Sequence, residues 1–197
     1  MTVVRLSNGR LLLHSPIALS PDLVHALTEL GEVGHIVCPN LFHHVYADEA
    51  IRAFPGAQLH GPAKLHRKRR DLRFDSALSE SPHADWAADL VPITIDGSLL
   101  RETVFYHPAS RTLISSDLVE NFAGSDDTVT QLYLRLGGIL GKVSWHPLLR
   151  PVYYRRKKAR ASVDRILDLP FENVIVGHGD LITRDARSSL RTGLAWL

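Results

Sequence analysis

Four residues in three distant segments are of the types that hold a cation: the adjacent His43 and His44, then Asp117, then His178 within Gly177-His178-Gly179. Imidazole nitrogen and carboxylate oxygen suit zinc, iron or manganese, and a catalytic ion usually keeps one coordination position for water. Each ligand comes at, or a short turn after, the end of an apolar run that reads as a strand. In α/β folds the carboxyl ends of strands face a common crevice, where side chains far apart in sequence converge. The chemistry this implies is hydrolysis, because a bound divalent ion acidifies its water from a pKa of about 15.7 towards roughly 7. Asp117 is expected to ligate the ion or to orient that water. His60, ending a neighbouring strand, is expected to brace the ligands or shuttle a proton. The glycines on both sides of His178 allow a sharp turn and a close backbone approach. Plainer roles stand beside these: a surface pair for His43 and His44, a turn or cap for Asp117, and structural roles for His14, His35, His60 and His107. Asn40 and Glu102 read either as supports of the site or as turn and strand-face residues.

The elements that must position these groups follow a β-α rhythm. Alternation in the first residues, the turn Ser7-Asn8-Gly9 and then Leu11-Leu12-Leu13 predict a hairpin, since Asn-Gly favours tight turns. Ser20 as N-cap and Pro21 at the first helical position start a helix carrying Leu23, Leu27 and Leu30. Gly34 to Cys38 is a buried strand leading to the histidine pair. A second helix is expected over 48–54 and a strand over 57–60. The polar stretch from His66 to Trp86 reads as loop with a short helix. Strands return at 91–95, 102–106 and 112–115, the last running into Asp117. Leu132, Leu136, Ile139 and Leu140 lie roughly on one helical face, and the apolar segment 126–149 is open to three roles: lid, homodimer surface or core. A basic amphipathic helix over 155–167 and a buried strand over 173–176 complete the chain.

Composition narrows the class. The 197 residues, 45% of them hydrophobic and 22% charged, are enough for one folded domain over 1–197. No apolar stretch approaches the roughly 20 residues of a membrane span, and the first residues lack the pattern of a secretory signal. The single cysteine, Cys38, excludes an intrachain disulfide and fits a reducing compartment, so a cytoplasmic location is expected. A net charge of +2 falls short of a nucleic-acid binder, and the basic runs at 66–70 and 155–160 read as solvated faces.

The segment Cys38-Pro39-Asn40-Leu41-Phe42-His43-His44 resembles the Thr-His-x-His-x-Asp-His motif of the metallo-β-lactamase-fold superfamily, and within it a domain-of-unknown-function group of the DUF4336 kind. Leu113-Ile114-Ser115-Ser116-Asp117 looks like that superfamily's strand with the bridging aspartate, and Val174 to Gly179 like its strand with the final histidine. The resemblance covers most of the chain. It implies an αββα sandwich of mixed sheets flanked by helices, with His44 at the last histidine of the motif and His43 in place of its aspartate. Pro39 and Leu41 stand where the first two histidines would be, and Asp96-Gly97-Ser98 lacks a further one. The ligands of the first metal position are therefore missing and those of the second remain. The resemblance thus implies a mononuclear zinc or iron site acting on a small-molecule ester, lactone, amide or thioester. A mononuclear non-haem iron oxidoreductase and a non-catalytic scaffold are the alternatives.

Overall fold

The computed structural model describes all residues from 1 to 197, and the chain divides into two compact units, Met1–Pro92 and Ile93–Leu197. The first unit opens with the expected hairpin: β1 (Thr2–Arg5) and β2 (Leu11–His14) pair antiparallel. Gly9 takes the left-handed φ of +84° that the turn requires. Helix α1 (Pro21–Leu30) follows, with the Ser20 hydroxyl accepting from the Leu23 amide at 3.2 Å. Removing that cap in Ser20→Ala is expected to cost about 1 kcal/mol. A thermal melt should register this as a drop of about 2–4 °C.

After α1 come β3 (Val33–Val37), α2 (Ala47–Ala53), β4 (Gln58–Gly61), α3 (Ala63–Lys68) and the short β5 (Ser76–Ala77). The sheet runs β1-β2-β3-β4-β5 and is parallel from β2 onward. Alternation sorts its two faces. Leu11, Leu13, Ile36 and Leu59 join Leu27 and Leu65 in one apolar core, while His35 and His60 occupy the positions of opposite parity on β3 and β4. The polar stretch after α3 is more ordered than its composition suggests: it holds β5 and a 3-10 turn over Ala84–Trp86, with Trp86 buried.

The second unit begins midway along β6 (Val91–Thr94) and continues with β7 (Thr103–His107), β8 (Thr112–Ile114), β9 (Glu120–Asn121), α4 (Thr128–Leu136) and β10 (Val143–Ser144). A 3-10 segment over Pro147–Val152 leads to α5 (Arg156–Leu167), β11 (Asn173–Ile175) and α6 (Ala186–Gly193). Its main sheet has the order β11-β8-β7-β6, parallel between β11 and β8 and antiparallel between β8 and β7. Helix α5 buries Ala159, Val163 and Ile166, spaced four and three residues apart, in a core with Val104, Leu113, Val174 and Leu190. The apolar segment departs from its expected helical face. Helix α4 stops at Leu136, and Leu132 (57%) and Leu136 (79%) are exposed whereas Leu134 is buried, so the face carrying Leu134 is the one turned inward. No helix is long and apolar enough to cross a membrane.

Candidate metal centre

Parallel pairing of β8 with β11 sets Leu113 opposite Val174 and Ile114 opposite Ile175, so both strands end at the same edge. The chain beyond each strand stays in step: the Ser115 amide donates to the Ile175 carbonyl (2.9 Å) and the Gly177 amide to the Ser116 carbonyl (2.9 Å). Asp117 and His178, 61 positions apart, therefore meet, with His178 Nε2 3.0 Å from Asp117 Oδ1. The hydrogen bond to Asp117 raises the His178 pKa, opposed by partial burial and helped by the nearby carboxylates.

Acid surrounds this pair. Glu102, 1% exposed, accepts from the Ser116 amide (2.7 Å), the Ser116 hydroxyl (3.1 Å) and the Asp117 amide (3.1 Å), which fixes the backbone that presents Asp117. Burial, then the adjacent Asp117, pushes the Glu102 carboxyl above the usual carboxylate range. Glu120 on β9 is 7% exposed, and its Oε2 is buried without a hydrogen-bond partner. Burial raises its pKa, and the charges of His178 and Asp117 both act on it. The buried Tyr153 hydroxyl also lacks a partner, and burial raises its pKa, with further pushes from Glu102 and Asp117. Three carboxyl groups, Asp117, Glu120 and Glu102, thus act on the His178 imidazole. Such an acidic cluster, with a buried Glu120 oxygen left without a hydrogen-bond partner, is an environment that a divalent cation neutralises, so the donor set fits a metal ion.

Gly179 makes this arrangement possible. Its φ is +96°, and a Cβ there would collide with the Asn121 carbonyl. The Asn121 amide in turn donates to the His178 carbonyl at 3.1 Å. Glycine after His178 is thus required on two counts.

In the first unit the histidine pair divides. Buried Asn40 accepts through Oδ1 from the Phe42 amide (2.8 Å) and the His43 amide (2.9 Å), forming the turn that follows β3. His43 Nδ1 lies 2.6 Å from the Ser15 hydroxyl. His44 Nδ1 accepts from Arg69 Nη1 at 3.1 Å, and the same guanidinium bonds the His44 carbonyl and is held by Asp71. Burial, followed by the charges of Lys68 and Arg69, lowers the His44 pKa. His60 is fully buried in β4: its Nε2 is 3.1 Å from His35 Nδ1 and its Nδ1 is 2.8 Å from Ser76 Oγ. Burial lowers its pKa to about 3 and that of His35 to about 4, so both rings are neutral at pH 7.

Of the supporting residues named from sequence, Asn40 shapes the turn before His43 and Glu102 presents Asp117. Glu120 and Tyr153 carry no local signal, because neither stands in a motif or at the end of a long apolar strand.

The family model described as "Domain of unknown function (DUF4336)" matches residues 1–135, about two thirds of the chain. No curated protein matches the sequence. Among solved structures, the metal-soaked Flv1 flavodiiron core from Synechocystis sp. PCC6803 superposes with a TM-score of 0.64 at 12% identity, covering 98% of this chain and 51% of the other. This chain therefore spans about half the length of that protein. A metallo-β-lactamase from Pontibacter korlensis matches at TM-score 0.62 and 14% identity, over 98% of this chain and 85% of its own. TTHA1623 in a di-iron-bound form matches at 0.58 and 18%, over 100% and 93%. At these identities the likeness concerns the fold, which is the α/β, metallo-β-lactamase-like fold of mixed sheets flanked by helices.

Proposed function

Since the chain belongs to the DUF4336 family and is a divergent member of the metallo-β-lactamase fold, we propose that it is a metal-dependent hydrolase-like protein working as a single domain over residues 1–197. The observation that carries this reading is the Asp117–His178 pair at the paired strand ends, ringed by buried acid with the Glu120 oxygen left unpartnered. In this reading Asp117 and His178 hold one zinc or iron ion. The ion would supply Lewis-acid activation of water against a small ester, lactone, amide or thioester.

The chain's own residues do the rest. Glu102 fixes the backbone that presents Asp117, and the Asp117 carboxylate orients the attacking water. His60 takes only a positioning role, since His35 and Ser76 occupy both its ring nitrogens. A flavodiiron core and a di-iron-bound protein among the structural relatives keep iron beside zinc as the alternative, with a mononuclear non-haem iron oxidoreductase as the second reading.

Elemental analysis of freshly purified protein tests the assignment. Asp117→Ala and His178→Ala are each expected to lose one equivalent of metal relative to the parent chain, and the element recovered decides between zinc and iron. Full occupancy in a folded His178→Ala protein would overturn the site.

A further inference from the structure

A second group of ligating side chains lies wholly within the first unit: His35 on β3, and His83 and Asp85 beside the 3-10 turn that carries Trp86. Their ligand atoms all lie within 4.8 Å of one another. His35 Nε2 is 3.2 Å from Asp85 Oδ2, and His83 Nδ1 is 4.0 Å from the same oxygen. Around a tetrahedral zinc ion, bond lengths near 2.1 Å put neighbouring ligand atoms about 3.4 Å apart. The widest separation exceeds this by at most about 1.4 Å, so side-chain shifts on the order of 1 Å bring the three groups onto one ion.

Hydrogen bonding at His35 points the same way. His35 is fully buried, and its Nε2 has no hydrogen-bond partner despite the nearby carboxylate, so the ring axis passes beside Asp85 Oδ2 rather than at it. The other ring nitrogen is tied into a relay: His35 Nδ1 to His60 Nε2 at 3.1 Å, then His60 Nδ1 to Ser76 Oγ at 2.8 Å. In the tautomer that sends protons along that relay towards Ser76, His35 Nε2 presents its lone pair as a metal ligand; in the opposite tautomer an N–H faces Asp85 Oδ2 instead. An ion bound by both groups selects the first tautomer, because it takes the Nε2 lone pair and the carboxylate oxygen together. Metal-bound histidines characteristically donate their second N–H to an acceptor in this way. His83 Nδ1 is held only by a long 3.3 Å bond from the Asp85 amide, which an ion would displace. Arg10, with Nη1 3.8 Å from Asp85 Oδ2, is the cation bordering the group, and Glu32 holds its other terminal nitrogen at 2.8 Å.

We propose that His35, His83 and Asp85 form a second divalent-cation site, separate from Asp117 and His178, which takes zinc or ferrous iron through two imidazoles and one carboxylate with one position left to water. His83 and Asp85 are partly exposed, which gives the ion a way in, while His35 anchors it to the sheet. An ion there pins the segment carrying Trp86 to β3. Trp86 packs edge-on against His35 and His60, with ring centroids 5.0 and 4.8 Å away.

The test uses the full chain in the Asp117→Ala/His178→Ala background, stripped by chelator and titrated with zinc alone by calorimetry and with cobalt(II) by visible absorption. One zinc equivalent and a cobalt spectrum of four-coordinate intensity are expected. His83→Ala and, separately, the isosteric Asp85→Asn should each weaken zinc binding by about 100-fold or more, since even a residue behind the ligands is worth about 10–100-fold. Far-UV circular dichroism selects the variants that keep the fold. No zinc binding in the background, or binding unchanged by either folded variant, overturns the proposal. Failure of the Asp117–His178 site gives a different result, because the background chain would then bind as much metal as the parent.

Discussion

Gly179→Ala is expected to destabilise the protein by about 3 kcal/mol or more, lowering the midpoint of thermal unfolding by about 6–12 °C. Two costs add. A residue with a Cβ is strained at φ +96°, and that Cβ runs into the Asn121 carbonyl, which is backbone and cannot swing aside. Relief requires the chain to part between β9 and the turn after β11, where the Asn121 amide bonds the His178 carbonyl and the Asp180 amide bonds the Asn121 carbonyl. His178 is the residue displaced, so metal retention at Asp117–His178 should fall with stability. Gly124→Ala is the control, since no atom lies within 4 Å of a Cβ built there. A melt of Gly179→Ala within 2 °C of that control would show that this turn does not hold the conformation described.

Glu102→Ala should be comparably damaging, at about 3–5 kcal/mol. The substitution removes a fully buried carboxyl group and leaves the Ser116 amide, the Ser116 hydroxyl and the Asp117 amide without the Glu102 acceptor. Glu102→Gln keeps one acceptor oxygen and matches the neutral form that burial and Asp117 favour for Glu102, so it should stay within about 1.5 kcal/mol of the parent chain. The contrast between the two variants is what identifies a positioning role. A purely space-filling Glu102 would give similar losses for both, read in urea or thermal unfolding. Metal affinity gives the second reading: releasing the Asp117 backbone in Glu102→Ala should weaken it by about 10–100-fold, and Glu102→Gln should largely restore it.

The residue pattern by itself determined the local pieces. Asn8-Gly9 closes the first hairpin, Ser20-Pro21 starts α1, and the apolar runs before His43, Asp117 and His178 become strands, because turn chemistry, capping and alternation act over a few neighbouring residues. Tertiary structure alone decided which groups meet. The β8–β11 register joins Asp117 to His178 across 61 positions, Glu102 arrives from just before β7 and Glu120 from β9, and His35 finds His60 and Asp85. It also turned Leu132 and Leu136 outward on α4, against their reading as one apolar face with Ile139 and Leu140. Parallel pairing is set by long crossover connections and the packing of whole faces, and no short window of sequence encodes such a register.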